Sequence, residues 1–420
     1  MARYYTQFSY IFTLAAIMLL SAALLSGCSS KGTLAIRNLA SNYEAAGTFE
    51  GLNFAVFNPN DSLSRLYYQL PLQKLKVRNE KDKISFLAYR IEYQLYDGIS
   101  KGRLVDSGSV TRADSLVFTG LTNDSLDIKA PSGKNYLLFV HFTDLVGLST
   151  RTELIRIPRI SSNLSCDYLL TDKSNRPLMR NFVYREEQFW VRSGSGTEDE
   201  ICLTRTDMLS SEAAKAPFAY GGAPKQSFSP GTGQDFQKYD GPLAGPFSFS
   251  EEGIIKAGSG PDRFTIFRFY DGFPKIGSSG VMREALRYIS TDDEFSEMMQ
   301  MQSKAAVDRF WLNQAGSPDR ALSQIRRYYA GVERANELFS LTGEGWKSDR
   351  GMIYIVFGQP SVVYINEEIE EWTYGTQGNL QSVKFYFQPV TTATGETDYQ
   401  LIRLDEYRRP WHLAVSKWRR

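Results

Sequence analysis

The chain has 420 residues, which is too long for one ordinary hydrophobic core and predicts two or three domains. Its 48 Lys and Arg residues nearly balance its 47 Asp and Glu residues. This balance argues against a nucleic-acid-binding protein, which would carry a basic excess. Aromatic residues make up 13% of the chain, and aromatic side chains pack well on the pleated surface of β-sheets. We therefore expect a sheet-rich protein that binds no nucleic acid.

Residues 1–27 have the pattern of a secretory signal peptide. Arg3 precedes an uncharged run over residues 11–25, and small residues follow that run. The run is about 15 residues long, whereas a membrane-spanning helix needs roughly 20. Leu25-Ser26-Gly27-Cys28 resembles the lipobox of bacterial lipoproteins, and the resemblance implies cleavage before Cys28 and acylation of that residue. More than one acyl chain would anchor the protein stably in a membrane.

Residues 28–45 show no clear period, and we interpret them as a tether. Surface-displayed lipoproteins in some lineages carry acidic residues just after the lipidated cysteine, whereas this chain has none before Glu44. By that resemblance, we expect a protein of the outer membrane that faces the periplasm.

Residues 46–160 alternate between strand patterns and turn signals. Residues 89–95 place an apolar side chain at every second position, which is typical of a half-buried strand. Pro131-Ser132-Gly133 is one of several turn signals. Seven or eight short strands in about 110 residues predict an antiparallel sandwich of the immunoglobulin or fibronectin type.

Residues 161–278 predict a second β-rich module with a long loop between Val191 and Phe247, where Gly, Ser and Pro are frequent. Cys166 and Cys202 lie in strand-like segments of this module. In an exported chain, two such thiols either form a disulfide or remain separately buried. Both alternatives stay open, because the sequence does not show whether the two Cα atoms are close enough for a bridge.

The hydrophobic period changes in residues 279–420, where we predict an α+β domain. Residues 281–289 and 293–313 have helical patterns, and Ser317-Pro318 marks the start of a third helix. A final helix carries Trp411 and Trp418 on one face. Apolar positions three or four apart define the buried face of the third helix; they are Leu322, Ile325, Tyr329, Val332, Asn336 and Phe339.

Four segments of this domain have strand patterns. Residues 352–357 form an apolar run between two turn signals, and we interpret them as a buried strand. Residues 371–374, 383–388 and 399–404 follow as further strands. Together they predict a four-stranded antiparallel sheet that is covered by the helices.

Gly345-Trp346-x-Ser348-Asp349 resembles the motif of the GWxTD domain family, with Ser348 where that family carries Thr. Neighbouring pieces such as Phe310-Trp311 and Glu371-Trp372-x-Tyr374 are also similar. The resemblance implies a domain of bacterial envelopes without an assigned activity. It marks a set of candidate binding residues: Gly345, Trp346, Ser348, Asp349, Arg350, Gly351, Glu371 and Trp372.

Three roles are open to this motif. Asp349, Glu368 and Glu371 provide carboxylates of the kind that glycoside hydrolases hold about 5–9 Å apart, but no histidine or Gly-x-Ser-x-Gly elbow supports Ser348 as a nucleophile. A binding groove is the second role. We favour the third, in which Asp349 and Arg350 bond to turn amides and a neighbouring strand while Trp346 fills the seam between helices and sheet.

No residue pattern indicates a metal or cofactor site, and we expect neither. We expect an interaction or assembly component with envelope protein partners and no enzymatic activity. In this hypothesis the two β modules are spacers and docking surfaces, and the C-terminal domain is the recognition head. Two alternatives remain, an envelope hydrolase acting on glycan or peptide and a carbohydrate-binding module. The module would expose a row of tyrosines on the first sandwich, at Tyr67, Tyr68, Tyr93 and Tyr96.

Overall fold

The computed structural model describes residues 38–44, 49, 51–78, 86–98, 102–115, 121–160, 165–194, 200–206, 212–220, 234–257, 264–315, 317–366, 368–376, 382–391 and 397–419. The predicted signal peptide and Cys28 lie outside these ranges. Within them, no helix combines the length and the apolar character that crossing a bilayer requires.

The first part of the chain is a β-sandwich, as predicted. Its strands are β1 (Asn53–Asn60), β2 (Leu63–Pro71), β3 (Phe86–Tyr96), β4 (Leu104–Ser115), β5 (Leu121–Lys129), β6 (Tyr136–Asp144) and β7 (Ser149–Ile157). They form a three-stranded sheet in the order β1-β2-β5 and a four-stranded sheet in the order β4-β3-β6-β7. Leu66, Ile91 and Val140 are completely buried in the core that the sheets share. Such a division into two packed antiparallel sheets is typical of immunoglobulin-like sandwiches.

The second β-rich module also consists of two antiparallel sheets. Its strands are β8 (Tyr168–Thr171), β9 (Phe189–Ser193), β10 (Glu200–Thr206), β11 (Gln234–Asp240), β12 (Leu243–Phe247), β13 (Gly253–Ala257) and β14 (Phe264–Arg268). The sheet orders are β12-β9-β8 and β11-β10-β13-β14. Phe189, Leu203 and Ile266 are completely buried in the shared core.

The prediction of one long irregular loop between Val191 and Phe247 is wrong. The interval contains β10, β11 and β12. β10 pairs with β11 and with β13, and β12 pairs with β9. Ile201 and Leu203 alternate into the core, a pattern too short to stand out among the surrounding Gly and Pro residues. The Gly-rich residues 221–233 lie outside the described part of the chain.

Six α-helices occur in the described residues of the C-terminal domain: α1 (Ser279–Ala285), α2 (Asp292–Gln300), α3 (Ser303–Ala315), α4 (Pro318–Phe339), α5 (Asp349–Phe357) and α6 (Arg408–Trp418). Pro318 opens α4 as predicted. The single helix predicted over residues 293–313 is two helices, α2 and α3. Leu322 was predicted on the buried face of α4 but is 47% exposed; Ala321 and Tyr328 are buried instead.

A four-stranded antiparallel sheet completes the domain. Its strands are β15 (Val362–Ile365), β16 (Glu370–Tyr374), β17 (Val383–Thr391) and β18 (Thr397–Leu401), in the order β15-β16-β17-β18. Phe339 of α4, Ile353 of α5, and Trp372 and Phe385 of the sheet share one core. The C-terminal part is therefore α+β, with helices packed on an antiparallel sheet.

Residues 352–357 belong to α5 and are not a strand. The Oγ of Ser348 accepts a hydrogen bond from the N–H of Gly351 and caps the helix. Gly358, with φ at 81°, follows its last turn. Every residue from Asp349 to Val356 is buried, so the segment lacks the one-sided apolar period that distinguishes a helix from a buried strand. The first strand of the sheet is β15.

Residues 38–44 pack into the C-terminal domain. Leu39 and Tyr43 are buried in the core of that domain. The N–H of Leu39 donates to the carbonyl oxygen of Val363 at the sheet edge, over 2.9 Å. The prediction of a tether over residues 28–45 is therefore wrong for residues 38–44, because their apolar side chains and backbone groups find partners in a distant part of the chain. Residues 28–37 and 45 lie outside the described ranges.

The first sandwich contacts the same domain through the outer face of its four-stranded sheet. Phe139 and Leu154 point away from the sandwich core and join the C-terminal core. The guanidinium of Arg156 lies 5.5 Å from the ring centroid of Tyr399. Because strand side chains alternate between faces, this sheet packs on the other sheet with one side and on the C-terminal domain with the other.

Candidate functional site

The motif begins in tight contact with the last turns of α4. Gly345 opens a single 3-10 turn, and its N–H donates to the Oγ of Ser340 over 2.8 Å. A Cβ atom on Gly345 would lie 2.2 Å from the carbonyl oxygen of Ala335. Only glycine allows the two backbones to approach this closely.

Trp346 is a packing residue whose polar groups have internal partners. Its side chain is 1% exposed and contacts the ring of Tyr288 edge-on. Its N–H donates to the Oδ1 of Asn336, and its indole Nε1 donates to the Oε1 of Glu344, both over 3.2 Å. The hydroxyl of Tyr288 donates to its carbonyl oxygen over 2.8 Å. Trp346 therefore joins the turn to α4 and to the segment after α1.

Ser348 connects the turn to α5. Its Oγ donates to the carbonyl oxygen of Gly345 over 2.7 Å and accepts from the N–H of Gly351 over 3.0 Å. A threonine hydroxyl could make the same two bonds, so the change from Thr to Ser preserves the helix cap. A Cβ on Gly351 would lie 2.0 Å from the carbonyl oxygen of Gly345.

Asp349 lies in the first turn of α5 and binds the end of the sheet. Its Oδ2 accepts from the N–H of Leu401 over 2.9 Å, and its Oδ1 lies 2.7 Å from the Nη2 of Arg403. Both side chains of the ion pair are nearly fully buried. A carboxylate at this position also interacts favourably with the positive end of the helix dipole. Sequence reasoning missed Arg403 and Leu401, because nothing local in the sequence relates them to Asp349.

Arg350 is buried among acidic and aromatic side chains. Its Nη2 donates to the Oδ1 of Asp398 over 2.9 Å, and its Nη1 lies 3.7 Å from the Oε2 of Glu370. The guanidinium also lies over the rings of Phe339 and Tyr399. Burial alone would lower the pKa of Arg350, but the two carboxylates outweigh burial and raise it.

Glu370 is the completely buried acid at the centre of this cluster. Its Oε1 accepts from the hydroxyl of Tyr43 over 2.5 Å and from the indole Nε1 of Trp372 over 2.6 Å. Burial, together with the nearby Glu370 carboxylate, raises the pKa of Tyr43 well above its usual value. In the sequence, Glu370 stands two residues before Trp372, which places both side chains on one face of the strand.

Glu371 lies on the opposite face of β16. Its Oε1 accepts from the Nζ of Lys384 over 2.8 Å and from the Oγ1 of Thr373 over 3.3 Å. Glu368 is exposed in the turn before the strand. The structure therefore separates Glu371 from the Asp349–Arg350 cluster, although the sequence suggested that Glu371 and Asp349 belong to one site.

The tyrosines of the first sandwich do not form one exposed row. Tyr68 and Tyr93 are buried, and their hydroxyls donate to Asp124 and Asp106. Burial and the nearby Asp106 raise the pKa of Tyr93 to about 12. Tyr96 packs edge-on against Phe139 at the contact with the C-terminal domain.

Cys166 lies in a 3-10 turn before β8 and is partly buried against the core of the first sandwich. Cys202 lies in β10, and its side chain is outside the described part of the structure. A disulfide between them therefore stays a prediction.

Among the described residues, neither metal-binding groups nor the surface depression along α6 gives evidence of a ligand site at the motif. In the part of the chain that the structure describes, no three His, Cys, Asp or Glu side chains are grouped so that they could hold a metal ion. An open depression along α6 is lined by Asp405, Arg408, His412 and Leu413 among others; none of these four belongs to the motif.

Comparison with known proteins identifies the C-terminal part only. No curated protein matches the chain. The family model of the GWxTD domain matches residues 254–420, a range that begins in β13 and includes α1–α6 and the four-stranded sheet. The motif turn, its helix cap and its buried ion pairs all lie within the matched range. The C-terminal part of this chain is a GWxTD domain.

Proposed function

We propose that the protein is a lipid-anchored component of the bacterial cell envelope that faces the periplasm and acts by binding other envelope proteins. The supporting observation is that the charged side chains of the motif are buried and paired within the domain. Asp349 pairs with Arg403, and Arg350 pairs with Asp398. A hydrolase would need acidic groups that converge on a substrate cleft, whereas these carboxylates hold helices and strands together.

Two other features support an interaction role. Tandem β-sandwiches are rigid supports for loops and sheet faces that bind partners. The lipobox-like sequence at Cys28 would hold these surfaces at a membrane. The near-zero net charge favours protein contacts over nucleic acid.

The anchor is tested with wild-type protein and a Cys28→Ala variant. Wild-type protein should incorporate a labelled fatty acid and fractionate with the outer membrane, and the variant should do neither. Protease treatment of intact and permeabilised cells then tests the orientation, since a periplasm-facing protein is cleaved only after permeabilisation.

The interaction role is tested by affinity purification of the lipidated protein from envelopes solubilised in two different detergents. We expect the same partner proteins in both preparations. A variant of the same fold but without the anchor, Cys28→Ala, controls for proteins that bind the matrix or the detergent micelle. Recovery of no specific partner in either detergent would contradict the proposal.

A further inference from the structure

We propose that the GWxTD domain is the part of this protein that lies against the membrane, and that the two β modules extend away from it. This inference rests on the proposed lipidation of Cys28. It reverses the arrangement expected from chain order, in which the β modules are spacers and the C-terminal domain is the distant head.

The evidence is the position of residues 38–44. The hydroxyl of Tyr354 donates to the carbonyl oxygen of Tyr43 over 3.0 Å, and the Nε of Arg334 donates to the carbonyl oxygen of Glu44 over 2.9 Å. Leu39 is completely buried. The chain is therefore held firmly in the C-terminal domain before it enters the first sandwich.

The remaining connection to the lipid is short. Ten positions separate Cys28 from Asn38, and ten residues span at most about 36 Å even when fully extended. A domain of the size of residues 279–420 has a radius of gyration of roughly 14 Å, so this reach is close to the width of one such domain. A sandwich could be placed between the C-terminal domain and the membrane only if the connection were stretched to its limit.

Asn38 marks the face that would approach the bilayer. Its side chain donates to the carbonyl oxygen of Ser361 over 3.2 Å and accepts from the N–H of Val363 over 2.9 Å. The loops over residues 358–361 and 375–376 lie at this same end of the sheet, because β15 begins where its antiparallel neighbour β16 ends.

The chemistry of this end suits a phospholipid surface. The loops 358–361 and 375–376 contain no acidic residue. The indole Nε1 of Trp418 donates to the carbonyl oxygen of Val356 over 3.0 Å. This bond places the end of α6, with its Lys417, beside the last turn of α5, which leads into the loop 358–361. Uncharged and basic groups avoid repulsion from anionic headgroups, and each cation near such a surface adds attraction.

The test compares two dye positions on lipidated, full-length protein in phosphatidylcholine–phosphatidylglycerol vesicles that contain an acceptor-labelled lipid. Ser361→Cys places the dye at the proposed membrane face. Asn123→Cys places it on the outer side of the three-stranded sheet of the first sandwich, beyond both sheets. Wild-type protein treated with the same dye gives the background from Cys166 and Cys202. We expect higher energy transfer from position 361 than from position 123.

A variant with 20 Gly and Ser residues inserted after Lys31 is the matched control. A flexible insertion of this length adds a root-mean-square reach of roughly 25 Å, so energy transfer from position 361 should fall. In the protein without the insertion, energy transfer from position 123 that equals or exceeds that from position 361 would overturn the inference and leave the proposed lipid anchor intact. If wild-type protein fails to float with the vesicles, the lipid anchor itself is wrong, and the inference is overturned with it.

Discussion

Asp349 and Arg403 form a buried ion pair that joins the start of α5 to the end of the sheet. The Oδ1 of Asp349 and the Nη2 of Arg403 are 2.7 Å apart, and their side chains are 2% and 6% exposed. The acid belongs to the motif, whereas the arginine follows the last strand. The motif is thus an internal junction between two parts of one domain.

We predict that Asp349→Asn destabilises the protein by about 3–5 kcal/mol, because it leaves the buried Arg403 cation without its partner. Chemical unfolding at neutral pH measures the change. The double variant Asp349→Asn/Arg403→Met should recover part of the loss, since it removes the unpaired charge. A single variant as stable as wild type would contradict the structural role of the pair.

Trp346→Ala should reduce the free energy of unfolding by about 3–5 kcal/mol, because the large side chain leaves a cavity between helices and turn. Leu413→Ala is the control, since Leu413 is 55% exposed on α6 and surface changes usually stay within about 0.5 kcal/mol. Thermal unfolding of both variants measures the two changes in stability. A Trp346→Ala protein with the melting temperature of wild type would contradict the structural role of Trp346.

Two glycines of the domain should respond to alanine in opposite directions. Gly345→Ala should destabilise by about 3 kcal/mol, because its Cβ would meet the Ala335 carbonyl. Gly331→Ala in α4 should stabilise by up to about 1 kcal/mol, because a Cβ there meets no atom nearer than 3.9 Å and alanine favours a helix. The melting temperature of Gly345→Ala should therefore fall below that of wild type, and the melting temperature of Gly331→Ala should rise above it. Shifts of both melting temperatures in the same direction would contradict the close backbone contact at Gly345.

Tyr43→Phe should destabilise by about 1–3 kcal/mol, because it removes a hydrogen bond from the buried Glu370 carboxylate. Tyr220→Phe is the matched control: its hydroxyl donates to Asp405 at the surface, and the residue is 71% exposed. Urea unfolding of the two variants should separate them. Equal and negligible effects would show that residues 38–44 contribute little to the domain.

The Glu294–Arg419 ion pair should make stability depend on pH in the acid range. Arg419 is the main cause that lowers the pKa of Glu294 to about 2, with burial opposing it. Because the folded pKa lies below the unfolded value of about 4.3, the stabilisation is complete above pH 4.3 and is lost as the pH falls through 2. Solvent screening of this partly exposed pair limits the effect to about 1 kcal/mol.

The variant Glu294→Gln tests this prediction, because glutamine can still complete the capping box with Thr291 at the start of α2. The variant should be less stable than wild type at pH 7, and the difference should shrink as the pH approaches 2. A difference that does not change with pH would assign the effect to the helix cap and not to the charge.

Local periodicity predicted much of the fold. The alternation over residues 89–95 identified β3, and Ser317-Pro318 identified the start of α4. The first signal depends on one buried and one exposed face of the strand. The second depends on the fixed φ and missing N–H of proline, which suit the first position of a helix. The four-stranded sheet was also predicted, although its first strand was assigned to the wrong segment.

The errors have a common physical cause. Residues 349–356 are all buried, so the helix α5 carries no amphipathic pattern. The cap at Ser348 and Gly358 after the last turn were the remaining signals. Residues 38–44 have no pattern of their own, because only contacts with remote parts of the chain order them. The sequence did not predict the partners of Asp349 and Arg350, because these contacts also join segments that are distant along the chain.

The path of residues 38–44 also sets an order for folding. Asn38 and Val363 are hydrogen-bonded although 325 positions separate them, whereas the strands of each β module pair with strands of the same module. Contacts between remote segments form late, because they require the ends of a long loop to meet. A chain that emerges from its amino terminus could therefore complete both β modules first. Leu39 and Tyr43 would remain exposed until the last third of the protein arrives to cover them.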